Sequence, residues 1–321
     1  MKRVIIGMCF VLAMVMGASL MPAQVRGGVA PWQQAGESGA PVNPPRFRFH
    51  WYAVGQNPLG MCFDGANIWT ANFGDGTVTK LRTSDGKQVG SFKAGASPAG
   101  VTFDGTNIWV SNSADGNVTK LRASDGEKLG TFNAGPAPWW SAFDGANIWV
   151  PNGSNAVTKL RARDGRNLGT FKTGYGAIAA VFDSRDIWVT NGGDATVTKL
   201  RASDGKTLGT FPVGRAPIGI AFDGTSIWIA NRGDNTVTKL QAKSGKNLGT
   251  FSVPAGVYGV AFDGTNIWTA GDQGVTELRD NGKIIHFYST PTTNTSGVVL
   301  AGTNVWVTGY NNNAAGKLGN L

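Results

Sequence analysis

Residues 222–231 read Phe-Asp-Gly-Thr-Ser-Ile-Trp-Ile-Ala-Asn, and close variants of this phrase return along most of the chain. Its tryptophan stands at positions 69, 109, 149, 188, 228, 268 and 306, at successive spacings of 40, 40, 39, 40, 40 and 38 residues. Self-similarity at such a period marks a structural repeat, in which each copy covers an apolar face of its neighbour.

Working outward from the phrase, one copy predicts four short strands. Ile218–Phe222 is the innermost strand, a, and Asp223-Gly224-Thr225 a tight turn. Strand b is Ser226–Ala230, strand c Thr236–Leu240 and strand d Leu248–Val253, with turn residues at Asn231–Asn235 and Ser244-Gly245. Asp-Gly and Asn-Gly-type pairs supply the positive-φ positions that short hairpins need, and no room is left for crossover helices. Seven such units predict an all-β fold, a seven-bladed β-propeller of four-stranded antiparallel blades. The last copy ends at Lys317-Leu318, a strand c with no strand d after it, while Phe47–Val54 is a strand d with no blade of its own. The N-terminal strand is therefore expected to complete the C-terminal blade and close the ring, hiding the edges of an open one.

Three segments follow: a signal peptide at 1–23, a Gly/Pro-rich flexible linker at 24–45, and the propeller at 46–321. Met1-Lys2-Arg3 is a basic start to the apolar run Val4–Leu20, with small residues near Ala23 as the cleavage site. An uncleaved anchor is the alternative for this run. Export places the protein in the periplasm, at the cell surface or outside, with no transmembrane segment after cleavage. Of the two cysteines, Cys9 lies in the signal, so the mature chain has one thiol, Cys62, expected as a small core residue. High glycine (47 residues), 11 tryptophans and only 15% charged residues suit short strands and tight turns and argue against a helical or disordered chain. The formal charge of +9 falls to +7 once Lys2 and Arg3 leave, which favours anionic partners without choosing one.

The phrase resembles the naming tetrapeptide of the YVTN-type β-propeller repeat proteins. Trp188-Val-Thr-Asn191 differs from it by Trp for Tyr, and variants stand at Trp69-Thr-Ala-Asn72, Trp109-Val-Ser-Asn112, Trp149-Val-Pro-Asn152 and Trp228-Ile-Ala-Asn231. Copies six and seven carry Gly271 and Gly309 in place of Asn. The resemblance implies an extracytoplasmic propeller and leaves activity open. More distantly, the Asp-Gly-x-x-Trp phrase is similar to that of streptogramin (virginiamycin B) lyases. That likeness implies a histidine base and Mg²⁺ near the central cavity. The chain has only His50 and His286, both expected on outer d strands, so the lyase residues do not carry over.

The repeated aromatic residues are expected to pack between blades. The repeated Asp residues, at 64, 104, 144, 183, 223 and 263 and at 75, 115, 194 and 234, are expected to hold turns rather than a metal. Strand c carries Lys80, Lys120, Lys159, Lys199, Lys239 and Lys317, mostly followed by Arg two residues on, which predicts a solvated basic rim able to hold an anionic polymer. Function is sought where the copies differ, on the face of the d–a and b–c loops. There stand Phe73, Trp139, Trp140, Tyr175, Arg215, Arg232, Tyr258 and Tyr310. Trp140 departs furthest, since its equivalents are Gly60, Gly100, Ala179, Gly219, Gly259 and Gly297. It is expected in or over the channel mouth, either as part of an aromatic floor with Trp139 and Tyr258 or as a plug. The expectation is a monomeric, noncatalytic binding propeller for a protein, peptide or glycan, with no catalytic residue, metal or cofactor, and nucleic acid an unexpected partner. The alternative is a lyase-like or lactonase-like enzyme using the central cavity.

Overall fold

The computed structural model describes residues 47–254, 256–290 and 294–320; the expected signal and linker lie outside the described residues. Seven four-stranded antiparallel sheets make up the unit Phe47–Gly319. They are numbered here as blades one to seven in chain order, each with strands a to d from the axis outward. The innermost strands of neighbouring blades touch around the ring, and the last, Thr295–Ala301, meets the first, Pro58–Phe63. In the seventh blade the strand order is Phe47–Ala53, Ala314–Asn320, Asn304–Gly309, Thr295–Ala301. The chain thus forms a closed seven-bladed propeller whose N-terminal strand supplies the outer edge of its last blade. The expected strand boundaries hold within about a residue: blade five runs Pro217–Phe222, Ser226–Asn231, Thr236–Gln241 and Asn247–Ser252.

The repeated phrase is the adhesive of this fold. Each tryptophan of strand b lies in an interface between blades, with 0% exposure at Trp69, Trp109, Trp149, Trp188, Trp228 and Trp306 and 6% at Trp268. Sealing the indole would strand its N–H, and the Asp of the a–b turn accepts it: Trp69 Nε1 donates to Asp64 Oδ2 at 2.7 Å and Trp228 to Asp223 at 2.7 Å. The other oxygen of Asp64 receives the backbone N–H groups of Ala66 and Asn67, so one carboxylate both makes the turn and caps the core. Partial burial opposes ionisation of Asp64 and Asp223, but these donors outweigh it and hold both carboxyls below their ordinary range. In blade seven Ala301 replaces the Asp, and Trp306 Nε1 is left buried without a partner. Cys62 packs half-buried against the cluster around Trp69 and Val101, and this burial, aided by the Asp64 charge, pushes its thiol well up.

The lysines of strand c require a correction. They do not form a solvated rim: Lys80, Lys120, Lys159 and Lys199 are only 5–7% exposed. Each ammonium lies over the tryptophan of its own blade, 4.9–5.2 Å from the ring centre in these four. It then donates into the next blade, Lys80 to the Ala123 carbonyl at 2.7 Å and Lys120 to that of Ala162 at 2.7 Å. Lys317 closes the circle by donating to Thr83 of blade one at 3.0 Å. The following arginines remain outside but are matched locally, Arg82 to Asp85 and Arg161 to Asp164. The basic band is thus mostly a set of buried clasps and neutralised pairs.

Candidate binding site at the channel mouth

Around the axis, at one position of the inner strand in blades one, two, five, six and seven, the next blade approaches too closely for a side chain. A Cβ added at Gly60 would lie 2.5 Å from the Ala99 carbonyl oxygen, one at Gly259 2.6 Å from that of Ser296, and one at Gly297 2.5 Å from that of Leu59. Backbone oxygens of the neighbouring blade cannot yield as a flexible side chain can, so glycine is the residue that fits.

Blade three breaks this ring. Its inner strand pairs with its own strand b only over Ala142–Phe143, whereas the inner strands of the other blades run six or seven residues. One cause is legible in the sequence: Pro151 on strand b has no N–H to give at this level. The Trp140 carbonyl instead accepts from Ala180 N of blade four at 2.9 Å, and Trp140 N donates to Ile178 O at 3.1 Å, a parallel bridge between inner strands. So placed, the Trp140 side chain enters the channel, its Nε1 standing 2.8 Å from where a Gly60 Cβ would be, two blades away. The axial cavity beside it has a volume of about 190 Å³ and is walled by residues of all seven blades, among them Trp140, Gly219, Tyr258 and Gly297.

Across the mouth, blades five to seven supply a polar group. The Arg232 guanidinium lies 4.5 Å above the Tyr258 ring, and its Nη2 is 3.8 Å from Asp272 Oδ2. Arg232 Nε and Asp272 Oδ1 are both buried without hydrogen-bond partners. Burial raises the Asp272 carboxyl against the pull of Arg232, and raises the Tyr258 phenol with help from the Asp272 charge. Tyr310 is close enough for its charge to bear on Tyr258, and its own phenol is raised by burial. This is a group with unspent hydrogen-bonding capacity, a guanidinium, a carboxyl and two phenols, joined to the axial cavity through Tyr258, which lines it together with Trp140.

Of the candidates, Trp140 and Tyr258 line one cavity, Arg232 and Tyr310 gather around Tyr258, and the others lie apart. Trp139 is 2% exposed and lies under Trp140, ring centres 5.6 Å apart, so it offers no face to a ligand and the expected three-ring floor is corrected. Tyr175 lies exposed against Gly193, and Arg215 is paired to Asp234; both sit over the b–c turns of their own blades. Asp272 escaped the sequence reading because the b–c turn of blade six is shortened, which moves this Asp to the position of Arg232 and Phe73. His50 and His286 stand on outermost strands, Phe47–Ala53 and Ile284–Ser289, as expected.

No protein-family model and no curated protein matches the chain. Among solved structures it is similar to a streptogramin B lyase, at 17% identity and a TM-score of 0.73 over 86% of this chain and 98% of that one. It is likewise similar to virginiamycin B lyase from Staphylococcus aureus, at 17% identity and a TM-score of 0.72 over 86% of this chain and 99% of the other. At that identity the likeness speaks for the propeller fold alone.

Proposed function

We propose that this protein is an exported, noncatalytic binding propeller of the YVTN-repeat type, presenting the loop face around its channel mouth to a peptide, glycan or protein segment. One observation carries the reading: residues that obey the repeat are consumed by packing, while Trp140 and Tyr258, which break it, line the axial cavity, and Arg232 and Asp272 beside Tyr258 keep polar atoms unpartnered. A cavity of about 190 Å³ lies below the usual range of enclosed small-molecule sites, about 300–1,000 Å³. The ligand in this reading caps the mouth, stacking on Trp140 and pairing with the Arg232 guanidinium, rather than sinking into the axis. The lyase-like alternative needs a base at the axis, and both histidines of the chain stand on outermost strands.

The test is a screen of peptide and glycan arrays with the mature protein and its Trp140→Gly variant, followed by titration of tryptophan fluorescence with the ligands found. Binding that is lost in Trp140→Gly and weakened in Arg232→Gln supports the mouth as the site. A fluorescence response unchanged by Trp140→Gly removes it. N-terminal sequencing of the protein recovered from the cell envelope tests export, with cleavage near Ala23 expected.

A further inference from the structure

Departures from the repeat gather at a second place, far from the axis. On the face opposite the mouth, the a–b turn of blade four faces the c–d turn of blade five across a cavity of about 560 Å³. In blade four, Ser184 holds φ at 76°, where blades one, two, three, five and six place glycine at 92–98°. A serine there is strained backbone, and strain of this kind gathers at functional sites. The next residue is Arg185, where those blades have Ala or Thr, and then Asp186, where the other blades have Asn or Ser. Some 55 residues on, blade five has lost the Arg–Asp pair that braces the c–d turn of blades one to four. Gln241 and Ser244 stand in its place, hydrogen-bonded to each other, with Lys243 between them.

These changes alter the chemistry of the seam. In blades one to three the Asn amide donates to the turn Asp, as Asn67 does to Asp64. A carboxylate cannot donate, so Asp186 turns one oxygen to Lys199 Nζ at 3.1 Å. Its Oδ1 is buried without a partner in a residue only 2% exposed. Lys199 correspondingly keeps the Ala242 carbonyl at 2.7 Å, whereas Lys80, Lys120 and Lys159 each hold two carbonyls of the next blade. The cavity thus has a paired Asp–Lys floor with an acceptor to spare and apolar walls from Leu208, Phe211 and Phe222. Its lip carries Arg185, 86% exposed and 3.9 Å from Asp186, and Lys243, which makes no ion pair among the described residues.

We propose that the seam between blades four and five binds an acidic saccharide. Ring hydroxyls are matched by the Gln241 and Ser244 side chains, the apolar sugar face by Phe211 and Leu208, and the acid group by Arg185 and Lys243, over the floor that the Asp186–Lys199 pair holds in place. The volume suits one or two sugar rings. An extended peptide is the weaker fit, because it binds by pairing along a sheet edge, and this seam offers side chains set among turns. The site is separate from the mouth and does not depend on the reading given to it.

The experiment measures binding of trigalacturonate, sulfated maltotriose and neutral maltotriose to the mature protein by calorimetry at low salt. Two variants restore the residues of the other blades, Gln241→Arg with Lys243→Ser and Ser244→Asp, and separately Arg185→Thr with Asp186→Asn; both sets already fold in neighbouring copies. Saturable binding of either acidic sugar, weakened about tenfold or more in both variants and unchanged in Trp140→Gly, supports the site. Which acid binds separates carboxylate from sulfate recognition. The proposal is overturned if neither acidic sugar binds, if neutral maltotriose binds as well, or if both variants bind like the wild type. Loss of binding in Trp140→Gly alone moves the ligand to the mouth, and preference for an acidic hexapeptide over both sugars replaces saccharide by peptide.

Discussion

The inner strands of blades two and three occupy equivalent places in the ring and behave differently. Pro98–Phe103 pairs along its length with its own strand b and keeps Gly100 at the axis. In blade three the corresponding chain carries Trp140 and bonds sideways to blade four. The contrast separates two uses of an aromatic ring. A tryptophan at strand b is sealed between sheets and, in blades one to six, has its N–H answered, while one at strand a stands in a channel that small residues otherwise line.

The most direct way to break this comparison is to remove one tryptophan of each kind. Trp149→Ala deletes a fully buried ring that also carries Lys159 at 4.9 Å, and a loss of roughly 3–5 kcal/mol is expected in chemical denaturation. Trp140→Gly should cost under about 2 kcal/mol, because its ring is partly exposed in the channel; equal losses would erase the distinction. Next in size is Gly219→Ala. Its Cβ would press on the Tyr258 carbonyl oxygen, so a loss of about 1–3 kcal/mol is expected, whereas Ala179→Gly in blade four should change little.

A smaller effect sharpens the role of the buried indoles. Ala301→Asp gives Trp306 the acceptor its counterparts have and should raise stability by about 1 kcal/mol, read as a higher melting temperature. The smallest effect expected is in its pH dependence. Asp64 and Asp223 titrate below their ordinary value in the fold, so the stability they contribute is present above the unfolded carboxyl pKa, about 4, and is lost as pH falls through the lowered folded value. The gain from Ala301→Asp should fade over the same acid window. Asp272, raised by burial, has the opposite sign: its ionised form weakens the fold above the raised pKa, so Asp272→Asn should change stability little in acid and raise it most near neutrality, visible as a flatter stability profile between these limits.

Much of this architecture is legible from residues that repeat. The spacing of the tryptophans counts the blades, and the unmatched ends at Phe47–Val54 and Lys317-Leu318 announce the closure. Trp140 stood out against six small residues at the same place. The lysines are different: a Lys followed two residues on by Arg, repeated from blade to blade, normally marks a wet face. In this propeller strand c is covered from both sides, Val78 packing with Val101 and Val110 of blade two and Leu81 with Trp306 of blade seven, so a charged residue there need not lie outside. Pro151 carried a signal that went unread: a missing donor on strand b is what frees the Trp140 carbonyl for blade four.

The chain by itself determined the number of blades, their strands and the closing strand, because these follow from local turn chemistry repeated at a fixed period. Only the tertiary structure decided what the exceptions do. Arg232 with Asp272, and Asp186 with Gln241, lie 40 and 55 residues apart, and their meeting depends on how the ring turns one blade's loops toward the next. Contacts made across a seam leave no mark in either strand alone, which is why the fold could be read along the sequence and its sites could not.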